Sequence, residues 1–433
     1  MQRLKYNDDR DKIEAYLADR KLDFRPELNR KVSEIIAEVR DKGDTALKNF
    51  TQKFDRVNLQ SLRLQEEELT DFKLEPELET SLKSAYRRIT NYYRARSKTD
   101  WTHPRLSGEV GEKITPLERV GLYIPGGKAA YPSSVFMTAI PAAVAGVKEL
   151  IAVTPPAEEG GINPVTARAL SLCGVKEIYK VGGAQAVAAL ALGTETVPRV
   201  DKIVGPGNKY VTMAKKLVYG QVDIDMLAGP SEIMIIADEK ADPGLLAADL
   251  LAQAEHDEEA RVIITSPCDN MQSRVENQLE LQLAELPTAD RARQALENYG
   301  LFLAVENLSE AVKAANEFAP EHLEILTESP HDLIKKIKHA GSIFMGSFSP
   351  EAAGDYIAGP NHVLPTSGTA RFFSPLGVSD FVKRSGRMYF NREELQELGE
   401  DIIRIAEAEN LPAHARSVAI RLGDEKGVEK DND

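Results

Sequence analysis

Cysteine is almost missing from this chain: Cys173 and Cys268 are the only two in 433 residues. So few thiols exclude a disulfide framework and a Cys-rich zinc site, and any metal must be held mainly by His, carboxylate or amide groups. Positive charge is also short, with 54 Lys and Arg against 68 Asp and Glu and a formal net charge of −14. That balance argues against a protein that neutralises a nucleic-acid backbone or docks on an anionic membrane. Long apolar runs are missing too. The longest, VFMTAIPAAVAGV at 135–147, is interrupted by Pro141 and falls short of the roughly 18–20 residues that span a bilayer. The N-terminal MQRLKYNDDRDKIEAYLADR has no apolar core of the secretory kind, so the chain is expected to stay in the cytoplasm. No internal repeat is visible.

What remains is ordinary globular material, 42% hydrophobic and 28% charged, long enough for about two to three domains. The first ~110 residues read as charged helices, for example 27–41 and 75–97, with apolar positions three and four apart. Trp101 and His103 fall in a Pro-containing connection, where a packed indole and a surface imidazole suffice to explain them. From 148 to 236 short β-branched runs alternate with helical stretches. The strands are ELIAVT (149–154), KEIYKV (176–181), DKIVG (201–205) and SEIMIIAD (231–238), with helices at 164–173, 184–192 and 208–219. Such alternation predicts βαβ units on a parallel sheet, with ligands where strand ends meet helix starts. A second alternating region over 231–348 holds a helix opened by Asp242-Pro243, a strand at 261–265, a helix near 269–285 and a strand near 342–345. The tail carries a helix at 391–409, with Asn391 and Glu394 spaced as a capping box. Its SVAIRL (417–422) reads as a strand. So short a tail builds little core alone and must pack on the rest of the chain or on a partner.

Three Gly-rich turns could approach a phosphate or nucleotide: VGGAQ (181–185), VGPGN (204–208) and LYIPGG (122–127). Glycine and the free N–H groups of a helix start suit an anion, yet the second turn has Tyr210 where the dinucleotide fingerprint wants Gly or Ala. They also read as tight connecting turns.

Among the seven histidines, His256 lies three residues after Gln253 in the helix begun at Asp242, so one helix face presents both. The pair suits either a metal or a hydrogen-bonded surface; no HExxH motif accompanies it. Asp355 sits in EAAGDY, just before GPNH with His362, in a Gly- and Pro-rich region where a ligand or a turn cap are both natural. Glu321 and His322 follow Pro320. Adjacent residues do not share a helix face, so joint acid–base work requires a bend at the proline; a carboxylate can activate water and an imidazole can take a proton. Glu409 and His414 end the tail helix, as a cap or a solvated face. His331 and His339 lie in a Lys-rich stretch and read as solvated, and Cys173 as packing with no local His to activate it.

Over nearly its whole length the chain resembles the histidinol dehydrogenases. The resemblance is carried by VGLYIPGG (120–127), VGGAQAVAAL (181–190), DKIVGPGN (201–208), AGPSE (228–232), LLAQAEHD (250–257), APEHLEI (319–325), AGDYIAGPNHVLPT (353–366) and NLPAHARSV (410–418). It implies two α/β, incomplete Rossmann-like domains with parallel-sheet βαβ units, a helical N-terminal region and a small C-terminal tail that crosses to a homodimer partner. The divisions expected are 1–115, packing with the second α/β unit, then 116–230 on the NAD side, 231–377 with zinc and catalysis, and 378–433 for dimerisation. The activity implied is oxidation of L-histidinol to L-histidine in two NAD-dependent steps, the last of histidine biosynthesis, with one Zn²⁺ per subunit. Zinc ligands carry over to Gln253, His256, Asp355 and His414, and acid–base roles to Glu321 and His322. Substrate contacts carry over to Ser231, Gln253, His256, His322, Asp355, His362, Glu409 and His414, and NAD contacts to Tyr123, Gln185 and Asn208. The tail's Glu409 and His414 would complete the other subunit's site. Rival readings are a paralogue using the same zinc and NAD on another amino alcohol or polyol, a cysteine-dependent aldehyde dehydrogenase, and a metal-binding protein without catalysis.

Overall fold

The computed structural model describes residues 1–20, 24–65, 68, 74–95, 101–102, 108–126 and 130–423. His103, Gly127 and the side chain of Trp101 lie outside the described residues. Two compact units emerge, one from Met1–Ser97 with Leu117–Phe381 and one from Lys98–Pro116 with Val382–Asp433.

The first unit begins with strand β1 (Gln2–Lys5) and helices α1 (Arg10–Asp19), α2 (Pro26–Phe54) and α3 (Pro76–Arg94). The expected helix over 27–41 is the first half of α2. At Gly43 the backbone leaves helical geometry, at φ 49°, and a Cβ there would overlap the Glu195 carboxylate. That carboxylate accepts the Asp44 N–H at 2.8 Å, so the helix restarts on a cap borrowed from far along the chain, which no local pattern announces.

A first sheet follows: β4 (Arg119–Tyr123), α4 (Pro132–Ala145), β5 (Glu149–Thr154), α5 (Pro164–Leu172), β6 (Glu177–Lys180), α6 (Gly183–Leu192), β7 (Lys202–Val204), α7 (Lys209–Val218) and β8 (Asp223–Ile224). Its strands are parallel in the order β6-β5-β4-β7-β8. Chain direction across the sheet reverses between β4 and β7, the place where open α/β sheets leave a crevice.

The second sheet uses β9 (Glu232–Ala237), α8 (Pro243–Ala254), β10 (Arg261–Ser266), α9 (Met271–Leu283), α10 (Ala289–Tyr299), β11 (Leu301–Ala304), α11 (Leu308–Phe318), β12 (His322–Leu326), α12 (Pro330–Ile334), β13 (Ser342–Met345) and α13 (Glu351–Tyr356). It is parallel in the order β1-β11-β10-β9-β12-β13. The α/β class with parallel sheets is therefore as the sequence pattern predicts.

Helices cover both faces of each sheet, which explains the continuous apolar strands. α2, α6 and α7 cover one face of the first sheet, and α3, α4 and α5 the other. On the second sheet α8, α9 and α10 oppose α1, α11 and α12. The N-terminal region thus differs from the expectation that it packs on the second α/β unit: only β1 and α1 join that sheet, while α2 and α3 clothe the first. Periodicity reveals that a helix has an apolar face, not which sheet will cover it.

The second unit pairs β14 (Val382–Tyr389) with β3 (Glu109–Pro116), and β3 with the short β2 (Trp101–Thr102), all antiparallel. Helices α14 (Arg392–Ala408) and α15 (Pro412–Leu422) pack together. The capping box at Asn391 and Glu394 forms as expected. SVAIRL is helical, not a strand: it completes α15, which Pro412 opens at its first turn and Gly423 ends in the left-handed region.

Candidate active site and metal centre

Every nominated residue outside the tail lines one cleft of about 1780 Å³ in the first unit. Its wall from the first sheet is made at the carboxyl ends of strands. Tyr123 ends β4, and its hydroxyl accepts the Gly183 N–H at 3.0 Å. Gln185 is buried in the first turn of α6. Asn208 caps α7, its Oδ1 accepting from Tyr210 and Val211 at 3.0 and 3.2 Å. Between them Gly205 turns the chain at φ 121°, where a Cβ would overlap the Tyr123 carbonyl oxygen. A buried Lys215–Asp225 ion pair locks this turn, Lys215 donating to the Gly205 carbonyl at 3.0 Å and Asp225 accepting the Gly205 N–H at 2.7 Å.

The wall from the second sheet is built the opposite way. Ser231 and Glu232 stand at the start of β9, and Glu321 and His322 at the start of β12. Here the site lies where helices end and strands begin, not where strand ends meet helix starts. Glu321 and His322 are also not on a bent helix. Ala319, at φ 47°, ends α11 and Pro320 leads directly into the strand, and Glu321 Oε2 comes within 3.7 Å of His322 Nδ1.

The backbone of one residue holds both. The Glu232 N–H donates to Glu321 Oε2 at 2.8 Å, and the Glu232 carbonyl lies 3.1 Å from His322 Nδ1. A carbonyl can only accept, so Nδ1 carries the imidazole proton and Nε2 keeps its lone pair. Nε2 is buried and meets no hydrogen-bond partner among the described residues. Burial lowers the His322 pKa to about 4, which keeps the ring neutral. Glu321 moves the other way: burial pushes it well above the usual carboxylate range, opposed by its bond from Glu232. The Glu232 carboxylate is itself held by Arg20, whose Nε and Nη2 donate at 2.7 and 2.5 Å, and by the Ser367 N–H at 3.2 Å.

Beside His322 lies an acid that sequence reasoning did not nominate. Glu351 is 2% exposed and its Oε1 is 3.5 Å from His322 Nδ1. The end of the Gln253 amide lies against both groups, 3.2 Å from His322 Nδ1 and 2.7 and 3.0 Å from the two Glu351 oxygens. Burial, then the carboxylates of Asp355, Glu321, Glu324 and Asp249, push Glu351 well above its ordinary value. Among the described residues, His256, Glu351 and Asp355 form the group able to hold a metal ion, with one donor atom each inside 4.8 Å of the others. An imidazole with two carboxylates is a donor set that zinc accepts. Gln253 lies in the last turn of α8, which ends at Ala254, and the His256 N–H donates to the Gln253 carbonyl at 3.3 Å, so a closing turn beyond the helix keeps the two together. His362 Nδ1 lies 3.8 Å from Asp355 Oδ1, and burial lowers its pKa.

Glu409 and His414 belong to the second unit. Glu409 follows the last residue of α14, while His414 is in the first turn of α15 instead of at the end of the same helix; both side chains are exposed. Cys173 caps the end of α5, half-buried, with its thiol pKa raised by burial, so it is no ready nucleophile. Glu232 appears in the AGPSE segment, but nothing local marks it as the residue that holds both Glu321 and His322. Arg20, Glu351 and Glu324 carry no local signal either.

The fold and cleft define an α/β protein with a buried, neutral imidazole and a buried carboxyl group flanking a candidate metal centre. The chain belongs to the histidinol dehydrogenase family, whose model, described as "Histidinol dehydrogenase", matches residues 18–422, which makes it an oxidoreductase. It is 52% identical over 398 residues to a histidinol dehydrogenase of Syntrophotalea carbinolica, covering 91% of this chain and 92% of that one. The counterpart from Geobacter sulfurreducens is 51% identical over 404 residues, with 92% and 94% covered. A crystal structure of histidinol dehydrogenase from Elizabethkingia anophelis superposes with a TM-score of 0.90 at 38% identity, covering 93% of this chain and 94% of that one.

Proposed function

We propose that the protein oxidises L-histidinol through L-histidinal to L-histidine in two NAD-dependent steps, in the cytoplasm, as a zinc-containing homodimer. The observation that carries this reading is the His322 imidazole, neutral, with Nδ1 tied to the Glu232 carbonyl and Nε2 unpartnered at the cleft. NAD, when bound, supplies the hydride acceptor that alcohol oxidation needs; Tyr123, Gln185 and Asn208 would hold it. Zinc, when bound, supplies a Lewis acid to which a substrate nitrogen can be fixed. Its ligands would be Gln253, His256, Asp355 and the partner chain's His414, and the Glu351 carboxylate fits the same donor set.

His322 Nε2 takes the hydroxyl proton in the first oxidation. In the second, the aldehyde must be hydrated, and Glu321, whose carboxyl lies beside the imidazole, activates the water. Glu232 keeps both groups in place through its own backbone. Ser231, His362 and the partner's Glu409 would read the polar groups of the imidazole and the amino alcohol. The exposure of Glu409 and His414 on one chain supports a tail that completes a second subunit's site. The same proposal divides the chain at 115, 230 and 377, with 378–433 as the dimerisation tail.

The test is NADH absorbance on adding L-histidinol and NAD, before and after a chelator and again after zinc is restored. Turnover that is lost and regained is expected. No turnover with zinc restored would overturn the assignment.

A further inference from the structure

One layer below the acid–base pair lies a second pair of acids that the proposed reaction does not use. Glu324 follows His322 by two residues on β12, and strand residues so spaced share a face. Asp249 precedes Gln253 by four on α8, one turn earlier on the same helix face. Strand and helix therefore meet in two tiers, His322 against Gln253 and Glu324 against Asp249. Glu324 is 0% exposed. Its Oε1 accepts the backbone N–H of Glu351 at 3.0 Å, and its Oε2 meets no donor among the described residues. Asp249 is half-buried, and its carboxyl lies against that of Glu324.

The consequence reaches the metal centre through α13. Glu351 is the first residue of that helix, and Asp355 lies four residues on, one turn away on the same face. Pro350, just before it, has no N–H to offer an anchor. The Glu351 N–H is thus the group by which the buried core can seize the start of the helix, and Glu324 is the acceptor that does so.

We propose that Glu324, backed by Asp249, is a positioning residue for the metal centre: it pins the first turn of α13 and so sets where Glu351 and Asp355 present their carboxylates. This rests on the reading of His256, Glu351 and Asp355 as metal-binding.

The test compares full-length wild type with Glu324→Gln and Glu324→Met, each stripped of metal and titrated with zinc against a competing chelator. Cobalt substitution reports ligand geometry by its visible spectrum. Glutamine still offers an oxygen to the Glu351 N–H and an amide to Asp249; methionine fills the volume and offers neither. Glu324→Met is expected to bind zinc about 10–100-fold more weakly, the range for outer-shell partners, with an altered cobalt spectrum, while Glu324→Gln keeps wild-type affinity. Methionine and wild type binding alike overturns the proposal, and so does equal loss in both variants. A wild type that takes up neither metal sinks the metal reading itself. Should Glu324→Met not fold, hydrogen exchange in the metal-free wild type decides. The Glu351 amide must then exchange as slowly as those of β12; exchange at the rate of an exposed loop removes the anchor.

Discussion

The carbonyl oxygen of Glu232 accepts from Nδ1 of His322 at 3.1 Å, and that contact chooses which imidazole nitrogen is free for chemistry. The same residue's N–H holds Glu321. Its carboxylate is clamped by Arg20, also buried, with side-chain exposures of 4% and 3%. His322, Glu321 and the start of β9 thus share one support.

Removing Arg20 should therefore be costly. Arg20→Met leaves the Glu232 carboxylate buried beside only the Ser367 N–H, and breaking a buried pair from one side costs about 3–5 kcal/mol. Denaturant unfolding of the metal-free protein would measure it. A midpoint unchanged from wild type would show that Glu232 finds other partners.

On the proposed roles, His322 and Glu321 should separate by step. His322→Gln is expected to lower NADH formation from both L-histidinol and L-histidinal by about 10²–10⁴-fold, the scale of a lost general base. Glu321→Gln should spare oxidation of the alcohol more than that of the aldehyde, because only the second step needs activated water. Equal loss of both steps in Glu321→Gln contradicts this division.

Tail exchange is testable by complementation. A His414→Ala chain and a Glu321→Gln chain, each inactive in the overall reaction, should regain activity when refolded together, since a mixed dimer has one site free of both lesions. If no mixture is active, the tail serves its own subunit.

Stability should depend on pH through the buried acids. Burial, with Asp249 adding to it, pushes Glu324 up to about 9 from 4.5. Between those values the folded protein keeps a proton that the unfolded chain gives up, so this contribution is full below about 4.5 and is lost as pH rises toward 9. His322 has the opposite sign. With its pKa lowered to about 4 from 6.5, its contribution is full above 6.5 and lost as pH falls toward 4. Above neutral pH only the first effect remains, so Glu324→Gln, which cannot ionise, should lose less stability than wild type as pH climbs toward 9. Parallel unfolding midpoints across that range in the metal-free proteins would refute it.

Much of this molecule is legible without coordinates, for identifiable reasons. The strands from 149 to 238 are short β-branched runs bounded by turn residues, and their covered faces leave an unbroken apolar signature. Asp242 and Pro243 announce α8, and Asn391 with Glu394 announce α14, because caps are local chemistry. SVAIRL fails as a strand because β-branched residues also fit a helix when a proline opens it and a glycine closes it. Gln253 and His256, read as one helix face, stay together although the helix stops at Ala254, because a closing turn joins them.

By itself the sequence determined the α/β class, the near absence of thiol chemistry and, through eight spaced segments, the family and its candidate groups. Only the tertiary structure decided how those groups are held. It set Glu321 and His322 at a strand start, tied both to Glu232, set Glu351 among the metal-binding candidates and stacked Glu324 on Asp249. The physical reason is that each of these relationships is a contact across tens or hundreds of residues. A hydrogen bond between a peptide on β9 and a side chain on β12 leaves no period, spacing or composition for a sequence to display.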